Sequence, residues 1–195
     1  MMTEMQKLHD FDTVYDTQAL FRLILEATAR PARPISARRF LTKFHEPRPH
    51  LLSIAMTLLD NEVTFCVLDD HALSASIAEL TLSQAAPLEE ADFVFVTEPA
   101  MLEDAICRAK CGTLRDPHSS ASFIVSVDAE KECALRVSGP GIRGDAVWKA
   151  TEQARRALEI RDAQQYEYPQ GIDFLFVSDT GAMAAIPRLV RWEAM

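Results

Sequence analysis

Cysteine, glycine and lysine are scarce in this chain of 195 residues, and each shortage excludes a class of chemistry. The four cysteines, Cys66, Cys107, Cys111 and Cys133, show no CxxC spacing, which argues against a zinc ribbon and against a disulfide framework. Cys107 and Cys111 with His118 would leave a zinc site one ligand short, so the thiols read as small buried side chains and no metal is expected. Only six glycines occur, and none belongs to a Gly-x4-Gly-Lys-Ser/Thr loop. Gly139, Gly141 and Gly144 fit Gly-x-Gly-x-x-Gly on paper, but Pro140 removes a backbone donor and no acidic ribose ligand follows. There is no Gly-x-Ser-x-Gly elbow, and five scattered histidines give no triad spacing. His118, beside Ser119 and Ser120, reads as a solvated loop histidine.

The lysines are Lys7, Lys43, Lys110, Lys131 and Lys149, which fall in a tail, a basic connection, a helix end, a turn and a polar helix. A PLP enzyme needs a Schiff-base lysine beside the cofactor and an acid on the ring nitrogen, so no cofactor is expected. No apolar run reaches the ~20 residues that span a bilayer, and the polar start has no signal-peptide core, so a cytoplasmic protein without membrane association is expected. The net charge of −9 argues against non-specific nucleic-acid binding.

What is present is the composition of an ordinary globular protein, 48% hydrophobic and 25% charged. The length suits one α/β domain over 1–195, with 1–15 a loose arm that lacks apolar periodicity. The strongest local signal is near the end of the chain. The runs Ile172-Asp173-Phe174-Leu175-Phe176-Val177 and Ala182-Met183-Ala184-Ala185-Ile186, joined by Ser178-Asp179-Thr180-Gly181, read as a buried β-hairpin closed by Pro187. Asp173 is an anomaly in an apolar strand. Hairpin geometry makes Arg188 its nearest partner, and a structural ion pair is the favoured reading.

Helices are expected after a cap at Asp16 or Thr17, after Pro49, after Asp69-Asp70, and from Glu98-Pro99 to Gly112. Strands are expected at 63–68, 91–96 and 123–127, the last pairing with 134–137 across 128–131, and a polar helix at about 145–161. The two glycines of Ser138-Gly139-Pro140-Gly141-Ile142 suggest a turn that something approaches closely. Between the first two helices, Pro31 and Pro34 imply extended backbone carrying Arg30, Arg33, Arg38, Arg39, Lys43 and Arg48 against one acid, Glu46. Such a run either faces water or meets an anion or an acidic partner. Alternating helices and buried strands followed by hairpins imply a mixed sheet flanked by helices.

Several stretches together resemble the PhnH family, a subunit of the bacterial carbon–phosphorus lyase system. They are Gln18 to Ala27 followed by Arg30-Pro31, Leu58 to Glu62, Ala91-Asp92-Phe93, Gly112-Thr113 with Pro117 and Ala121-Ser122, the 138–142 turn, and the hairpin from Tyr168-Pro169-Gln170-Gly171-Ile172-Asp173 to Ile186-Pro187-Arg188. The chain departs from the family pattern at Ala32, where glycine is expected, at His118, where an acid is common, and around 80–86, which lacks a His-Thr pattern. The resemblance implies a three-layer α/β/α sandwich with a mixed sheet, like a vestigial PLP-dependent transferase, that forms a homodimer in isolation. It also implies a place with PhnG, PhnI and PhnJ in the core complex that displaces adenine from ATP with a phosphonate, giving ribose 1-alkylphosphonate 5-triphosphate. Within this transferase complex (ribose 1-methylphosphonate 5-triphosphate synthase type) the chain reads as an assembly subunit without its own catalytic centre. The alternative is a nucleotide- or phosphonate-binding enzyme subunit that uses Arg30, Arg33, Arg38, Arg39 and Arg48 with Asp173 and Arg188.

Overall fold

The computed structural model describes residues 9–128 and 132–195. In chain order the elements are α1 (Tyr15–Ala29), β1 (Ile35–Ser36), α2 (Arg38–Leu41), α3 (Pro49–Leu58), β2 (Thr64–Leu68), α4 (His71–Thr81), β3 (Gln84–Ala85) and β4 (Phe93–Val96). They continue with α5 (Leu102–Arg108), β5 (Ser122–Val127), β6 (Glu132–Ser138), β7 (Asp145–Thr151), α6 (Glu152–Ala163), β8 (Asp173–Ser178), β9 (Ala182–Ile186) and β10 (Arg191–Ala194). Among the described residues the strands form a mixed seven-stranded sheet, β1-β9-β8-β5-β4-β2-β3, and a three-stranded sheet, β10-β6-β7. In the large sheet β2, β3, β4, β5 and β8 run parallel, and β9 is antiparallel to both β8 and β1.

The period-2 alternation of the central strands sorts their side chains into two cores. Phe65, Phe95, Ile124, Leu175 and Val177 pack with Leu20 and Ile24 of α1, Leu51 and Ile54 of α3, and Leu73 and Ile77 of α4. Val94, Val96, Phe123, Val125, Phe174 and Phe176 pack on the opposite side with Leu102 and Ile106 of α5, Leu158 of α6, and Leu135, Val137 and Trp148 of the small sheet. Strands covered on both sides read as continuous apolar runs, which is why β4, β5 and β8 were legible.

The expected pairing of 123–127 with 134–137 does not occur. β5 lies between β4 and β8, whereas β6 pairs with β7 and β10. Burial decides this: β5 is buried on both faces, while Leu135 and Val137 of β6 are buried and Ala134 and Arg136 exposed. A strand with one wet face fits an outer sheet. The turn expected at 128–131 lies largely outside the described residues. The polar helix expected at 145–161 also divides: 145–151 is β7, with Trp148 and Ala150 turned inward, and α6 begins only where the Thr151 hydroxyl accepts from Ala154 N.

Several boundaries move for local reasons. α1 starts earlier than the expected caps, because Asp12 Oδ1 accepts from Val14 N and Tyr15 N while Asp16 Oδ2 accepts from Asp12 N, a reciprocal cap. From His9 onward the arm is docked rather than loose: His9 bridges Phe44, and Phe11 is buried against Phe40 and Phe44. α5 stops at Arg108, well short of Gly112. Asp70 caps α4 as expected, accepting from Leu73 N. No thiol is fully buried, and Cys107 is exposed, which corrects the buried-thiol reading. No helix is long and apolar enough to cross a membrane, among the described residues.

Candidate functional site

Asp173 opens β8, and Arg188 follows the end of β9, so the hairpin brings the two together. Asp173 Oδ1 accepts from Arg188 N at 2.7 Å and from Nε at 3.2 Å; Oδ2 accepts from Nε at 3.1 Å and from Nη2. The rest of the guanidinium is engaged too, with Nη1 donating to Pro117 O at 2.5 Å and Nη2 to Ser120 Oγ at 2.6 Å. The loop carrying Pro117 is tied to the same place, since Gly171 N donates to Cys111 O and Gln170 Nε2 to Gly112 O, both at 2.9 Å. Three loops therefore converge on one guanidinium. They do so at the amino-terminal end of the parallel strands, where Asp173 stands opposite Ser122, the first residue of β5. Ligands of open α/β sheets gather at the other end.

Arg188 also walls a cleft of about 620 Å³, with Arg136, Arg161, Arg191, Asp145, Asp162, Glu193 and Trp192 among its lining. Two of its arginines are already occupied. Arg188 holds Asp173, and the buried Arg161 binds Asp162 and the carbonyls of Pro187 and Val190.

The basic segment is not the extended connection expected from its prolines. Ala32 is left-handed at φ 63°, a conformation that suits glycine and accounts for the glycine of the family pattern there. Arg38 and Arg39 sit on α2. Most of the cations meet acids of this same chain: Arg30 and Arg33 meet Glu26, Lys43 meets Asp16, and Arg48 meets Asp70 at 2.7 Å and Glu98 at 3.8 Å. Arg39 lies over the Phe40 ring, and among the described residues neither Arg38 nor Arg39 has an acidic partner within salt-bridge distance. The segment's charges thus do not converge on one anion site. Of the lysines, Lys110 pairs with Asp92, and Lys149 lies on β7 rather than on a helix.

A further buried polar group lies at the carboxyl end of the sheet. His50, in the first turn of α3, is 4% exposed and its Nε2 is 3.0 Å from Ser126 Oγ at the end of β5. Among the described residues its Nδ1 has no hydrogen-bond partner, and nor does Thr97 Oγ1, just beyond β4. The only sequence signal was a polar residue on the buried face of an apolar helix. Burial pushes the imidazole pKa down to about 4, with Asp179 opposing and Arg48 assisting. The unfolded chain therefore takes up this proton near pH 6.5 and the native protein only near 4. Stability should fall as pH drops through that window, and His50→Gln should flatten this part of a melting-temperature profile.

Fold and site together define an α/β protein with a mixed sheet, whose most heavily bonded polar centre ties loops together at the amino end of the parallel strands. Within that class the family is specific. A family model described as bacterial phosphonate metabolism protein (PhnH) matches residues 9–193, and the chain belongs to this family. No curated protein matches the chain.

Proposed function

We propose that this protein is an assembly subunit, without a catalytic centre of its own, of the cytoplasmic carbon–phosphorus lyase core, working with PhnG, PhnI and PhnJ. There it supports displacement of adenine from ATP by a phosphonate, giving ribose 1-alkylphosphonate 5-triphosphate. The observation that carries this reading is the family match across residues 9–193. The Asp173–Arg188 centre agrees with it: the guanidinium is taken up by a carboxylate, a carbonyl and a hydroxyl of its own chain. A seven-stranded mixed sheet with helices packed on both sides is also compatible with a three-layer sandwich descended from a PLP-dependent transferase. The chain is read as one domain throughout.

Arg38 and Arg39, which form no salt bridge among the described residues, are the part of the basic segment left for an acidic partner surface. Arg38→Ala with Arg39→Ala should reduce co-purification with the other core subunits and make it more salt-sensitive. Unchanged recovery across a salt series would remove this role. A second reading, nucleotide binding by the isolated chain, is favoured only by the arginines of the 620 Å³ cleft. Asp145, Asp162 and Glu193 share that cleft and weaken its pull on a triphosphate. Saturable ATP binding by the purified protein would support it.

In isolation a homodimer is proposed. Val14 at the N-cap of α1, and Phe21 and Leu25 on the helix, leave apolar surface exposed on one side of it. An ordinary interface would bury about 1,200–2,000 Å² in total. Sedimentation should show a dimer at micromolar concentration, and a monomer alone would refute it.

A further inference from the structure

β7 is an edge of the sheet β10-β6-β7, and among the described residues nothing but β6 bonds to the backbone of 145–150. The ladder fixes which groups are left over. Met195 N donates to Ala134 O at 3.3 Å, so Ala134 turns its backbone groups toward β10. The N–H and C=O of one strand residue point the same way and alternate along the chain, so Arg136 and Ser138 also face β10, while Leu135 and Val137 face β7. The residues opposite those two are Trp148 and Ala146, which turn their backbone groups to β6. Asp145, Val147 and Lys149 therefore point theirs outward.

The same three residues hold the wet face of the strand. All are exposed, Val147 at 61%, whereas Trp148 and Ala150 are buried. Asp145 and Lys149 form no ion pair among the described residues. A groove of about 210 Å³ borders the edge, lined by Trp148, Lys149 and Thr151 and by Pro34, Ala182 and Met183, so there is room beside the strand. An unpaired edge is a template for another strand. A lysine there ordinarily deters pairing, but here an acid stands four residues before it with a valine midway.

We propose that β7 pairs antiparallel with β7 of a second copy about a two-fold axis at Val147, joining the small sheets into one. In that register Val147 meets the partner's Val147, and Asp145 meets the partner's Lys149, each pair bonding through the groups left over. Charge selects this register from its neighbours. An axis at Asp145 or at Lys149 sets like charges face to face, and one at Ala146 sets Lys149 against the partner's Arg143. An axis at Trp148 leaves both charges without a counter-charge. The pairing rests on the homodimer proposed above and places its interface at β7, away from α1, which packs on the other side of the large sheet.

The test is sedimentation of the full-length protein over a concentration series. Val147→Pro deletes a donor that bonds to nothing in this chain, and proline is tolerated on an edge strand whose N–H side faces solvent. It should leave the melting temperature of dilute protein unchanged and raise the dimer dissociation constant about tenfold or more. Lys149→Asp sets acids face to face at both symmetry-related positions and should weaken the dimer about tenfold, and adding Asp145→Lys should restore it. Amide exchange at Val147 and Lys149 should slow as the dimer forms. A dimer of wild-type strength in Val147→Pro, or no rescue by the charge swap, would overturn the pairing and leave the homodimer standing. Monomer alone at every concentration would overturn both.

Discussion

Asp173→Ala is expected to lower the unfolding free energy by about 3 kcal/mol, toward the lower end for breaking a buried pair, because the carboxylate is still 35% exposed. The substitution removes an acceptor of Arg188 N, Nε and Nη2 at once and leaves a guanidinium 15% exposed without its counter-charge. Arg188 also joins Pro117 O and Ser120 Oγ, so the loops before β5 and β8 should loosen together. Urea unfolding of the purified protein measures the loss, and hydrogen exchange at 111–121 locates it. Arg188→Lys should not compensate, since an ammonium cannot present the planar fork that serves a carboxylate, a carbonyl and a hydroxyl together. Asp173→Asn separates structure from chemistry. If it keeps the melting temperature and assembly but abolishes phosphonate-dependent adenine release, the residue is catalytic and the structural role fails.

The Asp173–Arg188 contact was legible because both residues lie on one hairpin, where sequence distance and turn geometry fix who meets whom. The β8–β9 hairpin itself was marked by two apolar runs and Gly181, whose added Cβ would stand 2.7 Å from Arg38 N. β6 was legible as a strand but not its partner, and β7 was expected as the start of a helix. Their alternation, with only Leu135, Val137, Trp148 and Ala150 fully buried, states that one face is covered but not which element covers it. The His50–Ser126 contact at the carboxyl end of the sheet was invisible, because the two residues lie 76 apart in sequence and meet only once α3 packs on β5. Local chemistry at Pro49 announced the helix but not what its first turn would touch.

Gly141→Ala is expected to cost about 2–4 kcal/mol, because two separate penalties add at this position. At φ 82° a side chain enters left-handed backbone, roughly 1–2 kcal/mol unfavourable for a residue other than glycine. A Cβ would also stand 2.5 Å from Ala29 O and 2.7 Å from Pro31 Cδ. Both of those neighbours belong to the end of α1 and the chain just after it, so the turn between β6 and β7 seats the small sheet against α1, and the clash must push one from the other. Gly144→Ala is the matched control. It sits at φ 71° in the same connection, but nothing lies within 4 Å of its added Cβ, so it should carry the backbone penalty alone. The difference between the two urea midpoints then measures the close approach. Equal losses would mean that the turn moves aside at no cost and does not fix the small sheet to α1.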